Sequence, residues 1–405
     1  TYTTKEIARH QINLTGLKAN TVYTYRIGDI DNWYWSEIYT FKTADIAEKT
    51  PFEILITTDM QAMTKNSYEN SSKLLKASLT ASKFGYDFMF NLGDIVDDGR
   101  NLSQWQNYLD CNGKIFGSLP QVIAPGNHDV AEFVAPQDYV PSQSDVVMSK
   151  YQALDLHYNF EGKNNYYSFD YKGVHFVVLD TNNMNLEQID WLRQDLEVNK
   201  DNLVVVGMHK GIYSAGPHQN DTDIINMRKH LSKLFSDNKV EIVLQGHDHI
   251  YSESFFLDSE GKKTDTPVYK QGAPINNNNG GVLYVTMGTS GDKFYDFNMN
   301  TDDFINKGKM FHSPKLKNPT FGRIVFDGQN ISFYSYQYDI NNDRIDQLKM
   351  FNNNSIWIIV TIVTAVVIGV GMIILVIFLL RNHKRKIEKC KQDNEQSLST
   401  IDESE

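Results

Sequence analysis

Cysteine is nearly absent from this chain of 405 residues, which contains only Cys111 and Cys390. Two cysteines cannot form a disulfide framework, so a metal site would have to use nitrogen and oxygen ligands. No block of Lys and Arg precedes the C-terminal region, and the formal net charge is −11. The charge pattern therefore argues against a nucleic-acid partner.

A signal-like leader is also missing, because the chain begins at Thr1 without a charged and apolar segment. Near the other end, residues 356–380 carry no charged side chain and are long enough to span a bilayer core. Six basic residues follow and mark the cytoplasmic side: Arg381, Lys384, Arg385, Lys386, Lys389 and Lys391.

We therefore predict a single-pass membrane protein with one transmembrane helix at 356–380. Everything before it would be extracellular or luminal, and the tail 381–405 would be cytoplasmic. This orientation needs an upstream signal, so we expect the true N-terminus to lie before Thr1. Six sequons agree with a glycoprotein, although sequons also arise by chance in Asn-rich chains: Asn13, Asn70, Asn101, Asn220, Asn330 and Asn353.

The rest of the chain reads as globular, with 41% hydrophobic and 12% aromatic residues. Residues 1–45 have β patterning, with strands expected at 11–14, 21–27 and 36–43. From residue 51 onward, strand and helix patterns alternate, and helices are expected at 69–84, 186–199 and 223–236. We predict a layered α/β domain over residues 51–340, interrupted by polar surface insertions at 258–280 and 296–320.

Five apolar runs in this domain end in polar residues of the types that bind metals. In parallel sheets, active groups gather where strands end. Residues i and i+2 on an extended or turning backbone point the same way, so His247 and His249 can reach one site. The residues at these strand ends are Asp59, Gln61, Asp94, Asn127, His128, Asp129, His209, His247 and His249.

The order Asp-x-Gln, Gly-Asp, Gly-Asn-His-Asp, Met-His and Gly-His-Asp-His resembles the metallophosphoesterase (calcineurin-like phosphoesterase) family, in its purple acid phosphatase-like branch. The resemblance covers residues 52–338. It implies a layered β-sandwich flanked by helices. The segment from Leu14 to Gly28 resembles the late strands of a fibronectin type III-like sandwich, of which about half is present.

The resemblance implies two metal ions, of Fe, Zn or Mn, that share Asp94. One would also bind Asp59, Gln61 and His249, and the other would bind Asn127, His209 and His247. Mixed nitrogen and oxygen ligands suit these metals, and a carboxylate can bridge two cations. A metal-bridging hydroxide would attack phosphorus. His128, oriented by Asp129, would donate the proton to the leaving oxygen.

Two positions depart from the family pattern. Purple acid phosphatases have a Tyr that binds Fe(III) where this chain has Asp97, so a purple colour is not expected. Other metallophosphoesterases have His where this chain has Gln61, and an amide oxygen binds a metal more weakly. The first metal is therefore expected to be loosely held or of different identity, and Asp97 or Asp98 could compensate as a ligand.

The favoured hypothesis is a membrane-anchored phosphatase that hydrolyses phosphate monoesters. The same site could instead serve a phosphodiesterase or a nucleotide or pyrophosphate hydrolase. The other hypothesis is a non-catalytic surface receptor with a decayed site, which rests on Gln61 and Asp97. His175 is interpreted as a core histidine. His218 lies in the loop after the His209 strand and could face the substrate, but a surface role is favoured.

Overall fold

The computed structural model describes residues 10–45, 50–130, 165–275, 280–295, 310–312, 318–328, 330–348 and part of 372–386. The chain divides into two units, Thr1–Phe351 and Asn352–Glu405. In the second unit, the described residues between 372 and 386 are helical. No helix among the described residues is both long and apolar enough to cross a membrane. Most of the predicted span and tail, and Asn353, lie outside the described residues.

The first unit is mainly β-structure. Its strands, in chain order, are β1 (Val22–Tyr25), β2 (Gly28–Asp29), β3 (Tyr34–Trp35), β4 (Tyr39–Lys42), β5 (Phe52–Thr57), β6 (Phe88–Asn91), β7 (Gln121–Ile123), β8 (Tyr167–Tyr171), β9 (Val174–Leu179), β10 (Leu203–Lys210), β11 (Ile242–Gly246), β12 (Tyr251–Ser254), β13 (Leu283–Met287), β14 (Met310–His312), β15 (Thr320–Asp327), β16 (Asn330–Asp339) and β17 (Arg344–Gln347).

Its helices are α1 (Lys65–Ser78), α2 (Leu102–Phe116), α3 (Leu186–Asn199) and α4 (Thr222–Asp237), with 3₁₀ turns at Leu79–Ala81 and Pro217–Asn220. The helix expected at 186–199 matches α3, and α4 extends its expected range by one residue at each end. Helix α1 begins earlier than expected because the Thr64 side chain accepts a hydrogen bond from the Ser67 N–H and caps its start.

Two sheets form the centre of the domain. The seven-stranded sheet has the order β14-β12-β13-β11-β10-β9-β8, and the six-stranded sheet has the order β17-β16-β15-β5-β6-β7. Strands β5, β6 and β7 are parallel, and so are β9, β10, β11 and β13. Parallel strands place their carboxyl ends at one edge of each sheet, which is where site residues are expected.

The burial pattern shows why the sheets lie face to face. Alternate residues of a strand point to opposite sides, so Ile54 and Ile56 pack in the core between the sheets while Leu55 faces outward. Helices α1 and α2 cover the outer face of the six-stranded sheet, and α3 and α4 cover that of the seven-stranded sheet. The predicted layered α/β fold is confirmed.

The N-terminal piece consists of two antiparallel ribbons, β1 with β4 and β2 with β3. The strand expected at 11–14 is not formed. The piece contacts the main domain where the Tyr25 hydroxyl donates to the carbonyl of Gly117, at 2.7 Å. Several of its apolar side chains are uncovered, as in Trp33 and Tyr34, which are 81% and 76% exposed, whereas Tyr25 and Phe41 are half-buried. This is the surface expected of half a sandwich.

The insertion at 258–280 was expected to be solvated, and this is wrong for part of it. Tyr269 is buried in the core between the sheets, and its hydroxyl donates to the carbonyl of Phe333 at 2.9 Å. Gln271 donates to the buried Glu253 carboxylate at 2.7 Å. One aromatic anchor therefore ties this polar loop to the core. The second insertion contains β14, which pairs with β12.

Candidate metal centre

The polar strand ends of both sheets meet at one edge. The loops after β5 and β6 are joined because the Asp59 N–H donates to Gly93 O and the Gln61 N–H to Asp94 O, each at 2.9 Å. The loop after β7 approaches so closely that a Cβ on Gly126 would overlap the backbone nitrogen and Oδ1 of Asp94. A glycine at 126 is therefore required for this meeting of loops.

The backbone is strained at several predicted ligands. Asp59, Asp94, His247 and His249 have φ angles of 50°, 52°, 73° and 50°. Residues with side chains rarely adopt positive φ, and such conformations cluster at functional sites. The strain is therefore a signature of function that periodicity in the sequence could not reveal.

Two groups of ligand atoms share Asp94. We call the first the His209 position, formed by Asp94, His209 and His247 with Asn127 beside them. Ligand atoms of its three ionisable residues lie within 4.8 Å of one another. His209 Nε2 lies 3.2 Å from Asp94 Oδ2 and 3.0 Å from Asn127 Oδ1. His209 Nδ1 bonds the carbonyl of Leu92 at 2.9 Å, which leaves Nε2 for the site.

We call the second group the Gln61 position, formed by Asp59, Asp94 and His249 with Gln61 beside them. The ligand atoms of its three ionisable residues also lie within 4.8 Å of one another. His249 Nε2 lies 3.4 Å from Asp59 Oδ1, while His249 Nδ1 bonds the carbonyl of Lys293 at 2.7 Å. Gln61 Nε2 lies 3.0 Å from His249 Nε2 and 3.4 Å from Asp94 Oδ2.

Burial shifts the pKa values of several residues at the site. It raises the pKa of Asp59 and lowers that of His247 well below its ordinary value. Burial opposes charge on His209 too, but the carboxylates of Asp94, Asp59 and Asp129 raise the pKa of His209 to about 9. Burial likewise opposes charge on Asp94, yet the neighbouring His209 lowers the pKa of that carboxyl. The cluster therefore stabilises positive charge beside Asp94.

This donor set fits the metals that the family implies. Buried carboxylates and imidazoles that share one Asp are suited to Zn, Fe or Mn. The seven predicted ligands come together at this edge: Asp59, Gln61, Asp94, Asn127, His209, His247 and His249.

The orientation of His128 differs from the expectation. Asp129 does not orient it, because both Asp129 oxygens bind backbone N–H groups: Oδ1 those of Ile95 and Val96, at 2.7 and 3.2 Å, and Oδ2 that of Gly126, at 3.0 Å. His128 Nδ1 instead bonds the carbonyl of Asp97, at 2.6 Å. Asp129 joins two ligand-bearing loops, and burial raises its pKa to about 7.

Asp97 and Asp98, the expected substitute ligands, lie outside both ligand groups. Asp98 pairs with Arg100 at 2.9 Å, and the Asp97 carboxylate lies 4.0 Å from His128 Nδ1. The N–H groups of both aspartates donate to Gln104 Oε1, which fixes this turn. Within the described part of the chain, neither joins a group of potential metal ligands.

His218 was interpreted as a surface residue, and the structure places it at the site. Its ring lies 4.5 Å from the ring of His247. The ring Nδ1 of His218 bonds Asp221 Oδ2 at 2.9 Å, and the backbone N–H of His218 donates to Asp248 Oδ1. The available signal was its place in the loop that follows the His209 strand. His175 is a satisfied core residue, bonded to two aspartates.

Comparison with known proteins agrees with this geometry. Residues 52–251 match the calcineurin-like phosphoesterase family model, and residues 1–43 match the purple acid phosphatase N-terminal domain. Purple acid phosphatase 21 of Arabidopsis thaliana is 26% identical over 70% of this chain and 58% of its own length. Probable inactive purple acid phosphatase 1 of the same plant is 24% identical over 71% of this chain and 50% of its own length.

Among solved structures, the purple acid phosphatase PPD1 from yellow lupin (Lupinus luteus) seeds superposes with a TM-score of 0.62 at 19% identity. The superposed region covers 82% of this chain and 60% of the lupin chain. The chain thus spans between half and three fifths of the length of the curated relatives named here. With the two domain matches in this order and the ligand groups at the expected edge, residues 52–251 form a calcineurin-like phosphoesterase domain, and the chain is similar to purple acid phosphatases.

Proposed function

We propose that this protein is a metal-dependent hydrolase that cleaves phosphate monoesters. The observation that carries the proposal is the place of Asp94, whose carboxylate belongs to both ligand groups. Two cations held by one carboxylate can clamp a phosphate between them. The preference for monoesters over diesters is supported by the relatives, which are named as phosphatases.

When bound, the cations would supply Lewis-acid polarisation of the phosphate and a lowered pKa for water. The chain's own residues prepare the site for them. His209 and His249 each bond a backbone carbonyl through Nδ1, so each presents Nε2 as the ligand atom. The preformed geometry reduces the entropy lost on metal and substrate binding.

Two imidazoles can handle the proton that the leaving group needs. His128 and His218 each use Nδ1 in a hydrogen bond, with the Asp97 carbonyl and with Asp221 Oδ2 respectively. Nε2 of each ring is therefore the atom that can give a proton to the leaving oxygen. We assign this role first to His128, because its backbone N–H donates to Asp94 Oδ1, at 2.9 Å, which holds the residue beside the shared carboxylate.

The proposal is tested by assaying the purified full chain on p-nitrophenyl phosphate and its bis-ester, with Zn²⁺, Fe²⁺ or Mn²⁺ and with a chelator. We expect metal-dependent release from the monoester that the chelator abolishes. Preferential release from the bis-ester would indicate a phosphodiesterase. If neither ester releases p-nitrophenol and a nucleoside triphosphate releases no phosphate when metal is present, the receptor with a decayed site would be favoured.

We also propose that residues 356–380 anchor the protein in a membrane. The uncharged run and the basic residues from Arg381 to Lys391 support this topology. Cells that express the chain behind a cleavable signal peptide and with a C-terminal tag provide the test. We expect the tag to stay in the membrane fraction after alkaline extraction and to be digested only when protease reaches the cytoplasmic side. Release of the tag by alkali would contradict the anchor.

A further inference from the structure

The Gln61 side chain occupies the space beside the second ligand group. It is 2% exposed. Its Nε2 lies 3.0 Å from His249 Nε2 and 3.4 Å from Asp94 Oδ2, and its Oε1 lies 3.5 Å from Lys293 Nζ. The amide therefore places its hydrogens, rather than its oxygen, towards the atoms that would bind a cation.

The partners of the amide fix this orientation. His249 Nδ1 lies 2.7 Å from the carbonyl of Lys293 and donates to it, so in the neutral ring, the form that binds a metal, Nε2 has the lone pair. That lone pair and the Asp94 carboxylate both accept the amide hydrogens. A half-turn of the amide would set Oε1 against two acceptors and the NH₂ group against the Lys293 ammonium. Every one of these contacts would be repulsive.

We propose that Gln61 and Lys293 together make the Gln61 position a weak and conditional cation site. A cation there would have to displace the NH₂ group from His249 and Asp94. It could gain the amide oxygen only by turning the NH₂ group towards Lys293. The ammonium also repels a nearby dication.

At the His209 position the amide has the opposite orientation. Its amide, Asn127, already presents Oδ1 towards the site, 3.0 Å from His209 Nε2. The two positions therefore fill in order as the metal concentration rises, the His209 position first. This inference deepens the proposed function and rests on it, because it makes the fully loaded site depend on metal supply.

The test is a Mn²⁺ titration of the metal-free full chain by calorimetry, without substrate. We expect one tight site and a second at least about tenfold weaker, since changes around metal ligands typically alter affinity 10- to 100-fold. Lys293→Met keeps the backbone carbonyl that bonds His249 and should tighten only the second site, by about tenfold. Gln61→His should bring the second site close to the first.

Lys233→Met is the matched control. It also removes one lysine charge, but from the exposed face of α4, where Lys233 pairs with Asp237. We expect this variant to bind Mn²⁺ like the wild type. Two equal sites in the wild type, or a second site unmoved in Lys293→Met, would overturn the inference. If Gln61→His fails to fold, Lys293→Met still decides.

Binding is measured apart from hydrolysis, so the two proposals fail separately. The chain could hydrolyse no phosphate ester and still show two unequal sites that respond to Lys293→Met. This result would refute the proposed function and retain the inference about Gln61 and Lys293. Metal-dependent phosphatase activity with two equal metal sites would support the proposed function and refute the inference about Gln61 and Lys293.

Discussion

The His209 and Gln61 positions share Asp94 but differ in the polarity of their amides. At the His209 position, Asn127 presents an oxygen to the neighbouring imidazole. At the Gln61 position, an amide nitrogen faces both His249 and Asp94. The comparison shows that ligand types alone do not define a metal site. Groups behind the ligands, such as Lys293, decide which atoms are presented.

The largest effect is expected when the shared ligand is changed, because this breaks both positions at once. Asp94→Asn should lower kcat/KM on p-nitrophenyl phosphate by more than about 100-fold, since even changes behind a ligand cost 10- to 100-fold. Steady-state kinetics checks this. Asp110→Asn, at an exposed residue of α2, is the control and should retain activity. Full activity in Asp94→Asn would refute the shared-ligand assignment.

A second change separates proton transfer from metal binding. His128→Asn should lower kcat by about 100-fold, the lower range for loss of a general acid, without changing metal content. The loss should be larger for an alkyl phosphate than for p-nitrophenyl phosphate, because a poor leaving group needs the proton more. Equal losses on both substrates would argue against a proton donor. His218→Asn, measured in parallel, shows whether the two imidazoles share the task.

The third change sharpens the difference between the two amides. Asn127→Ala should weaken the tighter Mn²⁺ site by about tenfold, because it removes an oxygen donor there. Gln61→Ala should leave that site unchanged, because its amide nitrogen serves the other position. Calorimetric titration measures both variants side by side. Equal weakening of the tight site by the two variants would contradict the distinction.

The smallest expected effect lies outside the site. His175 is bonded to Asp170 at 2.7 Å and to Asp195 at 2.9 Å; burial lowers its pKa, but the two carboxylates outweigh this and raise it. A raised pKa means that the folded state holds the proton more tightly than the unfolded state. The resulting stability is complete below about pH 6.5 and is lost as pH rises through the higher folded pKa.

His175→Gln should therefore cost about 1 kcal/mol below pH 6.5 and less at high pH, the value being modest because Asp170 is largely exposed. Urea unfolding of both chains at several pH values measures the difference. His230→Gln, which alters a histidine on an exposed face of α4, is the control and should change the free energy of unfolding less. A pH-independent cost in His175→Gln would argue against a charged pair.

The sequence was sufficient to predict the layered fold and the set of side chains that meet at the candidate metal centre. Continuous apolar runs, such as Ile54, Leu55 and Ile56, marked strands, and the ends of these runs marked the site. Helix α2 was not singled out, although Asn101 caps it and Trp105 and Tyr108 are buried at helical spacing. The buried Tyr269 in a polar insertion was missed because a single aromatic residue creates no periodic hydrophobic pattern in the sequence.

The orientation of side chains could not be predicted. Asp129 follows His128 in the chain, so adjacency suggested a pair, yet the carboxylate points to the backbone of Ile95, Val96 and Gly126. The amide of Gln61 is set by Lys293, which lies 232 residues away in sequence. Such contacts depend on loops that meet only in the folded chain.

Metal content tests the central claim most directly, namely that side chains from both sheets hold cations around Asp94. The full chain would be dialysed against excess Mn²⁺, freed of unbound metal and subjected to elemental analysis beside Asp94→Asn. We predict at least one bound metal ion per chain in the wild type and almost none in the variant. A wild-type chain without metal, or a variant that retains the wild-type content, would contradict the account.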